Sequence, residues 1–376
     1  MKETKPLVCH LTTVHRADDV RIFKKECSSL IKKYRVKLIA VNAESSTKNG
    51  VEIIGVPCKF SSRVGRWWKA TYLVYKKAME VNAAIYHFHD PELIPAALRL
   101  KRKGKKVIFD SHEFYGYQIK TKTYIPSLIR NIVAAAYMKY EKYACEKFDA
   151  TICVCTIKGK NYFENRAKKV EFITNAPKLC EFADLSPTKF KRTQRVCQVG
   201  ALTYNRGVSH LVKAMDKTSS RLVLAGKFES NEYRASLEAL PQWEKVDYMG
   251  FLSRNEVNEM LQTCTAGIAT LLNVGQYNLF DAFPIKVYEY MAAALPVIIS
   301  RSDYAEKILA VHKFGICVNP DSPEEIAEAI NYISSHPKEA EILGQNGRKA
   351  ILEKYNWTVE EKKLLDIYEQ ILTHNQ

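Results

Sequence analysis

A chain of 376 residues is longer than one ordinary hydrophobic core and suits two domains. It is 47% hydrophobic yet contains no apolar run of the roughly 18 residues that a membrane-spanning helix needs, and no apolar signal region follows Met1-Lys-Glu-Thr-Lys-Pro6, so no spanning helix and a cytoplasmic location are expected. The net charge of +16 is one-sided: residues 1–190 hold 36 Lys and Arg against 18 Asp and Glu, whereas residues 191–376 hold 21 against 23. Such a basic half implies an anionic partner, either a membrane surface, an anionic lipid carrier or nucleic acid, with solvated surface lysines as the plain alternative.

Along the front half, short β-branched runs alternate with helical stretches. The runs are Leu7 to Leu11, Val36 to Val41, Ile53 to Val56, Ala84 to Phe88, Val107 to Asp110, Ala150 to Val154 and Val170 to Ile173. This is the βαβ pattern of a parallel sheet. After the first run comes a polar loop, His15-Arg-Ala-Asp-Asp-Val-Arg21. Further on, Trp68, Tyr72 and Tyr75 recur at helical spacing among basic residues, a pattern that fits either an interfacial helix on anionic lipid or a core-facing stripe. His87 and His89 alternate onto one strand face, but a zinc site would need a third ligand that this spacing does not supply. Asp110-Ser-His112-Glu113 ends the next strand. The ten cysteines form no C-x-x-C pair, and Cys153 and Cys155 read as small core residues.

The Pro-bearing segment Pro177 to Arg195 interrupts the pattern, which restarts with Arg195 to Val199, Arg221 to Ala225, Val246 to Tyr248, Ala266 to Leu272, Val297 to Ser300 and Gly315 to Val318. Two doubly wound α/β domains would thus leave one deep cleft, with ligands beyond the carboxyl ends of the strands. In the restarting turn, Gly200 lets backbone approach a ligand and Arg206 can fork onto phosphate oxygens. Asp281-Ala-Phe-Pro-Ile-Lys286-Val-Tyr-Glu289 then sets two carboxylates eight residues apart around a lysine. A helix starting near Pro284 would leave the amides of residues 285–288 pointing outward, an arrangement that attracts phosphate, while the carboxylates suit sugar or ribose hydroxyls.

This segment resembles the E-x7-E region of retaining glycosyltransferases of family 4, in the subgroup of bacterial surface-polysaccharide type with P-x-K-x-x-E-Y-M and D-x-H-E patterns; Asp281 stands where the first Glu is usual. Arg206-Gly207 matches the family's basic residue before a second glycine, while Ala201 replaces a basic residue often found there. The resemblance implies the GT-B fold, two Rossmann-like domains facing across a deep cleft. Residues 1–177 would form the acceptor-side domain, 178–194 a linker, 195–355 the nucleotide-sugar domain, and 356–376 a helix packing back on the first domain. It implies a retaining transfer from a UDP- or GDP-type sugar to a saccharide acceptor, lipid-linked at the inner membrane face, with no nucleic acid. Gly200, Arg206, Lys286 and Glu289 would bind the donor, Glu289 holding ribose; Asp281 would hold the sugar hydroxyls, and His89 would contact the reacting region. With no D-x-D anywhere, neither a metal nor a cofactor is expected. The competing readings are a nucleotide-sugar epimerase of the same fold, a basic nucleic-acid or membrane-binding protein without catalysis, and a scaffold that has lost its activity.

Overall fold

The computed structural model describes residues 5–59, 62–120, 122, 125–182, 193–274 and 279–373. They divide into two compact units, one formed by residues Met1–Asn175 with Val359–Gln376 and the other by Ala176–Thr358. Within the expected linker, residues 183–192 lie outside the described residues. Phe182, just ahead of them, is buried in the core of the second unit. The charge asymmetry follows the units: the first carries 36 Lys and Arg against 20 Asp and Glu, the second 21 against 21.

The first unit is built on an eight-stranded sheet of β1 (Leu7–Thr12), β2 (Arg35–Val41), β3 (Ser46–Lys48), β4 (Val51–Val56), β5 (Ile85–Phe88), β6 (Lys106–Ser111), β7 (Ala150–Cys153) and β8 (Val170–Phe172), in the order β3-β4-β2-β1-β5-β6-β7-β8. Every pairing is parallel except β3 on β4. Seven of these strands coincide with the apolar runs to within two residues; β3 is three polar residues at the sheet edge and carries no such signal. Alternation gives the centre of the sheet two unlike faces. On one, Phe88 stacks on Phe109 at 4.8 Å and meets the edge of Phe148 at 5.3 Å. On the other, β1 presents His10, β5 presents His87 with His89 just beyond its end, and β6 presents Asp110.

Three helices of this unit bear on function. The π-helical α1 (Val20–Cys27) is capped by Asp19, whose carboxylate accepts from the Arg21 and Ile22 amides at 2.8 and 2.9 Å. In α2 (Arg63–Val81) the residues turned inward are Ala70, Val74 and Ala78, so the aromatic stripe points out: Trp68 is 75% exposed and Tyr72 57%. The core-facing alternative is therefore not met at Trp68 and Tyr72, whereas Tyr75 is half-buried with Arg99 over its ring. Helix α3 (Ser127–Cys145) also leaves apolar side chains outside, Leu128 at 91% exposure and Ile132 at 69%.

In the second unit β9 (Arg195–Val199), β10 (Arg221–Ala225), β11 (Val246–Gly250), β12 (Ala266–Ala269), β13 (Val297–Ser300) and β14 (Gly315–Val318) form a parallel sheet in the order β11-β10-β9-β12-β13-β14. The winding reverses between β9 and β12, the switch point at which such sheets open a ligand crevice. Side chains alternate between two cores, Val196, Leu222, Leu224 and Ile268 in one, Cys197, Val223, Ala225 and Ala269 in the other. The strand expected to reach Leu272 ends at Ala269, because the chain leaves the sheet to meet the loop after β9, where Leu272 N donates to Asn205 O at 3.0 Å. The helices used below are α4 (Val208–Ala214), α5 (Arg254–Thr263), α6 (Ile285–Ala292), α7 (Pro337–Glu353) and α8 (Trp357–Thr373).

Candidate functional site

In the second unit the turn after β9 is shaped by its glycines. Gly200 has φ of 104°, and a Cβ there would lie 3.3 Å from Arg206 Nη1, so the guanidinium rests directly over the bare backbone. Gly207 has φ of 72°, and a Cβ on it would come within 1.9 Å of the Thr270 carbonyl oxygen. Arg206 is fixed between them: its N–H donates to Thr203 Oγ1 at 3.2 Å and its carbonyl accepts from Gln198 Nε2 at 3.3 Å.

Helix α6 completes this group, with Pro284 at its N-cap. The expectation that all amides of residues 285–288 stay unpaired is not met at Val287, whose N–H closes a turn onto Pro284 O at 2.9 Å. Lys286 is 3% exposed, and its Nζ finds no hydrogen-bond partner among the described residues. Burial, and then the neighbouring Arg206 charge, push its pKa down to about 7, partly countered by Cys197 and Glu289. Glu289, one turn on, is buried and has Oε1 2.8 Å from Arg254 on α5. Gly200, Arg206, Lys286 and Glu289 are thus brought together, while Asp281 lies half-buried on the segment leading into α6.

Of two further members of this group, one is absent from the sequence reading and the other enters it only as the tyrosine of the E-Y-M pattern. Arg254 follows the Ser253 of a capping box and reaches Glu289 only through the tertiary fold. Tyr290 is fully enclosed, and its hydroxyl oxygen accepts from Val199 N at 2.9 Å. A Cβ on Gly267 would strike its ring at 2.2 Å.

In the first unit the strand ends carry a dense imidazole and carboxylate cluster. Arg21 forks onto Asp110, its Nε and Nη2 lying 2.9 and 3.0 Å from the two carboxylate oxygens. That fork, with a hydrogen bond from His112 Nε2 at 2.9 Å, holds the Asp110 carboxyl well below the usual carboxylate range despite its burial. His89, expected to touch the sugar, has no exposed side-chain surface. Its Nε2 meets His10 Nδ1 at 2.9 Å and its Nδ1 meets His112 Nε2 at 3.1 Å. Burial lowers its pKa to about 4, opposed by Asp110. The imidazoles at this strand end with open surface are those of His112 and His15. His15 pairs with Asp90 and Asp19 at 3.4 and 3.7 Å, which raise its pKa against the cost of burial. His10 and Glu26, neither marked by spacing, join His87 and His89 in one enclosed cluster.

Residues 183–350 match the family described as Glycosyl transferases group 1, and residues 23–176 match Glycosyltransferase Family 4. Sucrose-phosphate synthase from Thermosynechococcus elongatus superposes with a TM-score of 0.77 over 98% of this chain and 100% of its own, at 16% identity. The fold is GT-B. Another GT-B structure, Anabaena HepE in complex with UDP-glucose, gives a TM-score of 0.70 at 12% identity over 97% of this chain and 100% of its own. Among curated proteins, an uncharacterized glycosyltransferase of Methanocaldococcus jannaschii is 29% identical over 175 residues, 45% of this chain and 43% of that protein. The MMP alpha-(1->4)-mannosyltransferase of Mycolicibacterium hassiacum is 26% identical over 175 residues, 44% of this chain and 40% of that protein. The chain thus spans less than half the length of these curated relatives. Both halves carry glycosyltransferase domains on a GT-B frame.

Proposed function

We propose that the protein is a retaining glycosyltransferase that moves a sugar from a UDP- or GDP-type donor to a saccharide acceptor, without a metal on the diphosphate. The observation that carries this reading is the Lys286 ammonium, enclosed without a hydrogen-bond partner among the described residues, beside Arg206 at the turn of Gly200. A buried cation is costly unless an anion meets it, and a diphosphate supplies one. Gly200 would admit the diphosphate close to backbone, with Arg206 and Lys286 stabilising the charge that grows as the bond to the sugar breaks. Glu289 would accept from the ribose hydroxyls through the carboxylate edge not taken by Arg254, and Asp281 would accept from hydroxyls of the transferred sugar. The acceptor hydroxyl would attack on the face the diphosphate leaves, its proton passing to a departing phosphate oxygen, which gives retention without a covalent sugar–enzyme bond. His89 would act on the sugar side through His112, the member of that pair with open surface.

The acceptor we assign is a lipid-linked saccharide of a surface-polysaccharide pathway, met at the cytoplasmic membrane face by a peripheral enzyme. The basic excess of the first unit supports this, as do the outward-facing Trp68 and Tyr72 on α2 and Leu128 and Ile132 on α3. Among the described residues no helix is long and apolar enough to cross a membrane. Thermal-shift measurement across UDP-, GDP- and dTDP-sugars, followed by turnover of the stabilising donor with lipid-linked saccharides, tests the reading. Transfer with the anomeric configuration kept is expected; conversion of donor alone, with no acceptor consumed, would replace it by an epimerase.

A further inference from the structure

We propose that His10, His87, His89 and Glu26 hold a zinc-type divalent ion inside the first unit, as a structural site separate from sugar transfer. The four side chains come from β1, β5, the residue that follows β5, and α1, none has exposed surface, and one ligand atom from each lies within 4.8 Å of all the others. His10 Nδ1 and His89 Nε2 are 2.9 Å apart, and they stand 3.9 and 3.8 Å from Glu26 Oε2. Tetrahedral zinc with bonds near 2.0–2.1 Å sets its ligand atoms about 3.3 Å apart, in the middle of that range.

The outer nitrogens argue most strongly. A ligating imidazole must turn a lone pair to the metal and donate its other N–H outward, to a carboxylate or an oxygen that fixes the ring. His10 Nε2 lies 3.2 Å from the Tyr368 hydroxyl and His87 Nδ1 lies 2.8 Å from the same oxygen, which has two lone pairs to offer them. His89 Nδ1 lies 3.3 Å from Asp110 Oδ2. All three rings therefore have a protein oxygen on the outer side; on the inner side His10 and His89 face Glu26, and His87 Nε2 lies 3.9 Å from Asp110 Oδ2 within the same cluster.

On the inner side His10 Nδ1 and His89 Nε2 have each other at 2.9 Å, and the remaining atoms are left over. Among the described residues, His87 Nε2 and both Glu26 oxygens are buried without a hydrogen-bond partner. Arg21 Nε lies 3.1 Å from Glu26 Oε1, but its N–H is directed to Asp110. One guanidinium thus serves two enclosed carboxylates, and orphaned buried polar atoms are rare in native proteins. A divalent ion supplies the missing positive charge and satisfies His10, His87, His89 and Glu26 at once. Four protein ligands complete a tetrahedral shell, so the ion offers no open position to a substrate.

The full-length chain, produced in zinc-supplemented medium and passed through EDTA under native conditions, should retain about one zinc per chain by mass spectrometry. Unfolding in guanidinium should then release that zinc to a colorimetric chelator. Protein produced with cobalt should show the intense visible bands of a tetrahedral cobalt centre, a readout that needs neither activity nor a variant. Glu26→Gln and His87→Gln should each lower the retained metal at least tenfold in whatever fraction remains folded by circular dichroism. A folded parent chain with under a tenth of an equivalent of metal overturns the proposal in favour of a network of shared protons. Metal that is stripped by native EDTA, or octahedral cobalt bands, overturns it as adventitious binding.

Discussion

Arg254 holds the Glu289 carboxylate at 2.8 Å and so sets which edge of it faces a ligand. In the proposed role, two hydrogen bonds from ribose hydroxyls to this charged group would contribute about 1.5–3 kcal/mol each. We predict that Glu289→Ala weakens donor binding by roughly 100-fold or more on that scale, with Arg254→Ala producing a smaller loss. Calorimetric titration with UDP- or GDP-sugar measures both, beside a thermal melt that reports the fold. Unchanged donor affinity in Glu289→Ala would remove the ribose role.

Lys286, in its proposed role, should make donor binding depend on pH. Its folded pKa, about 7, lies below the unfolded value, so from pH 7 upward the unfolded chain binds more protons than the folded one. Stability of the ligand-free protein should therefore rise with pH from about 7 to about 10.4 through this residue. Diphosphate beside the ammonium restores its proton, so nucleotide binding should take up a proton near pH 8 and weaken as pH rises above 7. Lys286→Met should abolish the proton uptake, weaken nucleotide binding and raise the melting temperature of the free protein. Titrations in buffers of different ionisation enthalpy count the protons; uptake that survives in Lys286→Met assigns it to another group.

Brief EDTA treatment of the folded enzyme should leave transfer unchanged, because Arg206 and Lys286 carry the charge of the departing diphosphate in the proposed step. A loss of turnover that manganese restores within seconds would place a metal in that step.

Ala294 occupies the left-handed position of a Schellman motif closing α6, with φ of 52°, its N–H on Met291 O at 3.0 Å and the Leu295 N–H on Tyr290 O at 2.9 Å. A non-glycine residue there costs about 1–2 kcal/mol, and glycine returns part of the gain as unfolded-state entropy. Ala294→Gly should stabilise the protein by about 0.5–1 kcal/mol, raising the melting temperature by about 1–4 °C. Calorimetry decides this, and a lower melting temperature would show the left-handed strain to be negligible.

Each lysine near anionic lipid adds on the order of 1 kcal/mol, fading within a Debye length of about 8 Å at physiological salt. The chain should therefore co-sediment with anionic liposomes in preference to neutral ones, and less so in high salt. Lys69, Lys76 and Lys77 changed together to Glu should cut the bound fraction severalfold, and Trp68→Ser should lower it even in high salt. Equal partitioning to both liposome types would leave the basic excess without this purpose.

The two sheets were legible because every strand but β3 carries a short β-branched or apolar run, and the candidate site because Lys286, Glu289 and the start of α6 lie within nine residues of Asp281. What escaped depends on contacts between distant segments. Tyr368 reaches His10 across 358 positions, and Glu26 joins the imidazoles only because α1 packs on that sheet face, so spacing offered two histidines where the fold gathers four ligand-type side chains. Arg254 escaped for the same reason, and β3 because three polar edge residues need no apolar alternation to pair. The early end of β12 reflects a backbone bond to Asn205 that no local pattern records.

Pairing of β9 with β12 stops at Cys197, so the amide of Val199 is closed by the Tyr290 hydroxyl instead of by a neighbouring strand. Its hydrogen-exchange lifetime is therefore a clock for the docking of α6 against the sheet. A lifetime equal to that of the core strands would mean that the turn of Gly200 and the helix of Lys286 never separate while folded, so that substrate exchange proceeds around a fixed anvil; a shorter one would reveal α6 lifting with every opening.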